Sequence, residues 1–145
     1  MIDVDTLIAS LRSEGLRITA ARRAICEALA SNVGEHLDAA ELKERAEAAA
    51  RVRIDQSTVY RTLDVLERLE VLHHVHLGHG PAIVHLAGER DHQHLVCERC
   101  GRTVDIPLDQ VSAVFGELGA AYGFAEIQGA HFALVGVCNV CNRRP

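Results

Sequence analysis

Two cysteine pairs, Cys97-x-x-Cys100 and Cys138-x-x-Cys141, constrain this chain more than any other feature, because each short turn presents two sulfurs at the spacing of one metal ion. Four thiolates complete a tetrahedron and leave no open position. That donor set points to a structural zinc ion, which stabilises and does not catalyse. The 37 residues between the pairs exceed the gap of a compact zinc ribbon, so such a site clips a whole subdomain together. A disulfide framework or a redox Cys-x-x-Cys would draw on the same residues. With no signal peptide and an odd fifth cysteine, zinc is favoured over both.

A length of 145 residues accommodates one or two small domains, each marginal alone, which suits a metal staple in the second. No run of 18 apolar residues occurs, so the expectation is a soluble, cytoplasmic protein without a membrane partner. Cys26 falls in the apolar stripe of a helix with Ile18, Ile25 and Leu29 and reads as a packed core thiol. The net charge of −5 argues against bulk affinity for nucleic acid, so any DNA contact must come from locally placed arginines. Nine histidines are the anomaly. Apart from His36 they all fall between His73 and His131, unlike scattered surface residues.

The pattern is helical with short breaks from Met1 to about Leu86. An amphipathic helix over 3–14 ends at Gly15, and Thr19 caps a second helix through about Ser31. Asp38-Ala-Ala-Glu41 has the form of a capping box and opens a third helix through Ala50. Asp55 or Ser57 starts a fourth, to about Glu70. Two strands follow, Val71–Leu77 and Ala82–Leu86, joined by a hairpin at Gly78-His79-Gly80-Pro81. Three helices and a two-stranded wing make a winged helix-turn-helix over 1–86. Residues 87–91 read as a hinge, and 92–145 as a second domain. There Gln93–Cys97 and Arg102–Ile106 pair around the first zinc knuckle. Pro107 begins a helix with Val111, Phe115, Leu118 and Tyr122 on one face, and Phe132–Val137 is expected as a buried strand leading to the second knuckle. The fold class is therefore α+β, a winged helix-turn-helix followed by an αβ domain with structural zinc.

On the fourth helix Val59, Leu63 and Leu66 share the apolar stripe, leaving Ser57, Thr58, Tyr60 and Arg61 on the exposed first turns. These are recognition-helix residues: hydroxyls for phosphate, tyrosine for base edges or methyls, arginine for phosphate or guanine. Arg17, Arg22 and Arg23, with Arg51 and Arg53, supply a rim for the DNA backbone. A solvated helix face would carry the same arginines; the wing that follows favours DNA.

Over nearly its whole length the chain resembles the ferric-uptake-regulator (Fur) family of metal-dependent repressors. The resemblance is carried by Gly15-Leu16-Arg17-Ile18-Thr19 with Arg22, by Ser57-Thr58-Val59-Tyr60-Arg61-Thr62-Leu63, and by His92-Gln93-His94-Leu95-Val96-Cys97 with Cys100-Gly101. It implies a homodimer on palindromic double-stranded operator DNA, with an N-terminal DNA-binding domain and a C-terminal αβ dimerisation domain. It also implies that Arg17 approaches the minor groove while Tyr60 and Arg61 lie on the operator.

His92 and His94 lie two apart on a strand and project from one face, with Asp105 on the strand expected beside it. His85 ends the wing and His36 precedes the capping box. A metal ligated by both sets locks the angle between the domains, and in a dimer it sets the spacing of two recognition helices. The family's regulatory ion occupies the positions matched by His36, His85, His92, His94 and Asp105. The wing residue is often acidic there and is His85 here. Such a nitrogen-rich site suits Fe²⁺, Ni²⁺, Zn²⁺ or Co²⁺, and Mn²⁺ less well; the lack of sulfur leans towards iron or nickel. His74, His76 and His131 form a candidate further metal set, and His76-Leu77-Gly78-His79-Gly80 is similar to the nickel-responsive branch. At the family's ancillary site this chain has Gln93 and Ser112 in place of acids or histidines.

The function implied is a metal-activated repressor of metal-homeostasis genes. Peroxide sensing through oxidation of a histidine on bound Fe²⁺ is the alternative within the family. A metalloenzyme fits less well, because no nucleophile, phosphate loop or general-base pair accompanies the histidines. A zinc module without DNA affinity leaves Tyr60 and Arg61 unexplained.

Overall fold

The computed structural model describes residues 2–76, 80–86, 92–125 and 133–143. The expected hinge at 87–91, Gly78 and His79 of the hairpin, and His131 and Phe132 lie outside the described residues. The chain divides into two compact units, Met1–His74 with Ala82–Glu89, and Val75–Pro81 with Arg90–Pro145.

The elements run α1 (Val4–Ser13), α2 (Ala20–Ser31), β1 (Leu37–Asp38), α3 (Ala39–Ala50), α4 (Gln56–Arg68), β2 (Leu72–His76) and β3 (Ala82–Leu86), then β4 (His92–Cys97), β5 (Thr103–Pro107), α5 (Leu108–Tyr122), β6 (Ala133–Gly136) and α6 (Asn139–Asn142). Local chemistry sets the helix starts. Asp3 accepts from the Thr6 N–H at 2.8 Å, and Thr19 Oγ1 accepts from the Arg22 N–H at 3.2 Å. Asp38 Oδ1 accepts from the Ala40 and Glu41 N–H groups at 2.8 Å, and Glu41 Oε2 accepts from the Asp38 N–H at 3.0 Å, completing the capping box. Each such cap contributes about 1 kcal/mol.

Helix α4 starts differently. Its N-cap, Asp55, makes no side-chain cap bond. The preceding turn is instead fixed from α3: Arg51 ends that helix in the left-handed region (φ 53), and Glu47 Oε1 accepts from the Ile54 N–H at 2.7 Å. The helix ends at Arg68, two residues short of the expectation.

The core of the first unit lies among the four helices. Leu7, Leu11, Ile25, Leu42, Leu63 and Leu66 are completely buried, each contributing about 1.5–3 kcal/mol on transfer from water. Cys26 is buried with them, and burial pushes its thiol up to about 11, so it stays neutral. Strands β1, β3 and β2 form a sheet in that order. The two-residue β1 was not foreseen; Leu37 and Asp38 pair antiparallel with Val84 and Ile83 of β3.

The second unit is a three-stranded sheet in the order β5-β4-β6, with β5 antiparallel and β6 parallel to β4. Here the structure corrects an expectation. Strand β6 is not buried within the subunit: Leu134 and Val135 are about half exposed. Of the α5 face, Val111 packs inward while Leu118 and Tyr122 are exposed. The sequence shows that these side chains are apolar, but not whether this chain or another covers them. Among the described residues no helix is long and apolar enough to cross a membrane.

Candidate metal centres

The four cysteines of the second unit converge. The first knuckle is the turn between β4 and β5, where the Gly101 N–H donates to Cys97 O at 2.8 Å and the Cys97 N–H donates to Arg102 O at 2.8 Å. Gly101 takes φ +72, a conformation that a side chain would strain. The second knuckle is the start of α6, which the sequence reading missed; the Asn142 N–H donates to Cys138 O at 2.9 Å. Strand β6 delivers it beside the first, with Gly136 opposite Cys97, and the Arg99 guanidinium clamps it by donating to Cys141 O at 3.0 Å.

All four sulfurs lie within 4.8 Å of one another, and Cys100 Sγ is 3.8 Å from Cys138 Sγ. Sulfurs bound tetrahedrally at about 2.3 Å from zinc stand about 3.8 Å apart, so the residues fit that ion. The electrostatics agree. The Cys138 N–H, at 3.3 Å from Cys97 Sγ, and the Cys100 N–H hold the Cys97 thiol down to about 6. The Cys141 N–H lowers Cys138 in the same way, whereas Cys141, crowded by the sulfurs of Cys100 and Cys138, is pushed up to about 12. Part of the set is thus ready to ligate, and a cation relieves the remaining crowding.

The histidines form two pairs, one in each unit. In the first unit the rings of His36 and His85 meet edge to face with centroids 5.6 Å apart, His36 on the loop before β1 and His85 on β3. The β1–β3 pairing brings these chain segments together. In the second unit the rings of His92 and His94 stand 4.9 Å apart on β4. Within each pair the ligating nitrogens lie within 4.8 Å, close enough to share one ion. Neutral imidazoles at this spacing suit a borderline divalent metal. Asp105 sits directly opposite His94 in the strand register, and its Oδ1 is 3.0 Å from His94 Nδ1. One carboxylate oxygen thus meets the edge of the histidine ring.

Of the candidate further set, only His74 has a described side chain. His74 Nδ1 pairs with Glu67 Oε2 at 2.8 Å; the side chain of His76 and all of His131 lie outside the described residues. At the ancillary position Gln93 is buried, and the Ser112 hydroxyl donates to Asp109 O at 3.0 Å.

On α4, Ser57, Tyr60 and Arg61 are exposed and Thr58 is half-buried. Arg61 turns back along the helix, its Nε donating to Ser57 O and its Nη2 to Ser57 Oγ, both at 3.1 Å. Arg17 is exposed ahead of α2, and its carbonyl accepts from Arg22 Nη1 at 2.7 Å. Sequence reasoning missed Asn32, Glu35 and Arg45, which brace the His36 loop, because Arg45 reaches Asn32 across 13 residues with no local signature.

The model of the Ferric uptake regulator family matches residues 13–131. The Ferric uptake regulation protein of Neisseria meningitidis is 28% identical over 137 residues, covering 94% of each chain. That of Bacillus subtilis is 30% identical over 146 residues, covering 96% of this chain and 94% of its own. Among solved structures, the ferric uptake regulator of Vibrio cholerae superposes with a TM-score of 0.71 at 27% identity, over 90% of this chain and 98% of its own.

Proposed function

Since the chain belongs to the ferric uptake regulator family, we propose that it represses metal-homeostasis genes through one regulatory divalent ion held jointly by His36 and His85 of its first unit and His92 and His94 of its second. It is a metal-dependent DNA-binding transcriptional regulator of that family, and its cofactors are a structural zinc and a second, regulatory divalent metal. The observation that carries the proposal is the division of the imidazoles into two pairs, each spaced for one ion and each on its own unit. Bound by both pairs, a divalent ion supplies a cross-link between the units. In a dimer this fixes the separation of two α4 helices to match two half-sites.

The chain's own residues do the rest. Asp105 orients His94 so that Nε2 faces the ion, a supporting role rather than direct ligation. Ser57, Thr58, Tyr60 and Arg61 meet the operator, while Arg17 and Arg22 hold its phosphates. The homodimer reading is supported by the apolar row Leu134, Leu95 and Val104, which lies in register across β6, β4 and β5 and is exposed in the single chain. A zinc site of four thiolates and a DNA target support a cytoplasmic location. With four nitrogens and no thiolate, the regulatory set suits Fe²⁺, Ni²⁺ or Zn²⁺.

Titrating operator binding metal by metal, beside elemental analysis of the purified protein, tests this reading. One zinc per chain that survives dialysis, with operator affinity raised by Fe²⁺ or Ni²⁺, is the expected result. Operator binding indifferent to every divalent ion would overturn it.

A further inference from the structure

We infer that Arg45 is a positioning residue for the regulatory metal, because its guanidinium ties the loop that carries His36 onto helix α3. The inference rests on the proposed ligand role of His36. Arg45 Nη1 donates to Asn32 Oδ1 and also lies 2.5 Å from Glu35 Oε2. Both partners belong to the loop between α2 and β1, and they flank the turn that leads into His36. The loop is held by its own backbone too. Asn32 Nδ2 donates to Ala28 O at 2.7 Å, anchoring the loop's start to α2. The Glu35 N–H donates to Asn32 O and the Leu37 N–H to Glu35 O, each at 3.1 Å. Gly34, at φ +83, reverses the chain between them.

Immediately beyond His36, Leu37 is buried and pairs with Val84, the neighbour of His85. His36 is therefore bracketed by the β1–β3 pairing on its C-terminal side and by Arg45 on its N-terminal side. Deleting the arginine leaves that pairing and the loop's own bonds in place and removes only the tie to α3. An exposed arginine–carboxylate pair by itself contributes little to folding. Both contacts are made by one nitrogen, Nη1, whose two N–H donors hold two groups of the same loop and so fix where the loop goes. The consequence falls on metal affinity, because a loop already ordered does not have to be ordered by the ion.

The test is a Co²⁺ titration of the zinc-loaded dimer, followed by the visible d–d bands of the regulatory site, in wild type, Arg45→Ala, Arg45→Lys, His36→Ala and the Arg45→Ala/His36→Ala double variant. The inference predicts about tenfold weaker Co²⁺ binding in Arg45→Ala, recovery of part of that loss in Arg45→Lys, and a double variant no weaker than His36→Ala. Amide exchange at residues 35–37 of metal-free Arg45→Ala should accelerate while α3 stays protected. If His36→Ala leaves Co²⁺ binding intact, the ligand assignment fails. If His36→Ala weakens binding and Arg45→Ala does not, or their effects add in full, the positioning role fails. Should Arg45→Ala lose helix content, Glu35→Ala removes one arm and carries the same comparison, with an expected weakening of roughly two- to fivefold.

Discussion

His94 places Nδ1 3.0 Å from Asp105 Oδ1, directly across the β4–β5 ladder. A carboxylate only accepts, so the neutral ring carries its proton on Nδ1 and presents the lone pair of Nε2. One ladder rung thereby fixes both the tautomer and the orientation of a proposed ligand. Replacing Asp105 with alanine should weaken the regulatory metal by about 10- to 100-fold while the zinc content of the protein is unchanged. Competition with a chromophoric chelator measures the first and elemental analysis the second; an unaltered affinity would reduce Asp105 to an ordinary surface acid.

Among the described residues of the second unit, the buried apolar side chains are Val75, Val96, Cys97 and Val111. Cys100→Ser should therefore release the zinc and unfold this unit, because the binding free energy of a structural zinc is folding free energy. The first unit, with its own core, should keep its helices. Zinc analysis and resolved amide spectra of the two units check this; a folded second unit without zinc would contradict the structural role.

The turn into α4 responds to acid. The Ile54 N–H bound to Glu47 holds that carboxyl below its ordinary value. A carboxyl depressed by folding stabilises above its unfolded value, and that contribution is lost as pH falls through the unfolded value towards the folded one. Glu47→Gln should thus be less stable than wild type at neutral pH, with the difference closing below about pH 4. Urea midpoints across that range give the measurement, and a difference that persists at low pH would assign it to packing.

Leu134→Asp places a charge in the centre of the exposed apolar row. If a second subunit covers that row, the variant should be monomeric by sedimentation while retaining zinc. A zinc-loaded dimer would move the interface elsewhere.

Wherever short-range chemistry decides, the sequence was legible. Thr19, the Asp38–Glu41 box and both cysteine knuckles act through groups a few residues away, and each appears in the expected place. What escaped depends on partners far along the chain. Strand β1 exists only because β3 lies beside it, and the Arg45 contacts join residues with no sequence relationship. Strand pairing predicts that Asp105 lies beside His94 but not which atom of the ring it meets. The exposure of Leu134 and Val135 was hidden for another reason: an apolar strand looks the same in sequence whether its own chain covers it or a second copy does.

In the proposed mechanism, imidazoles from both units hold one ion before the operator is gripped. Fluorescence anisotropy of a labelled palindromic operator, with and without Fe²⁺ under anaerobic conditions, tests it on wild type, His36→Ala and His94→Ala. Wild type should gain about 5- to 150-fold in affinity on adding the metal, while both variants stay zinc-loaded, dimeric and unresponsive. A full metal response in His36→Ala, the ligand contributed by the first unit, would contradict the account.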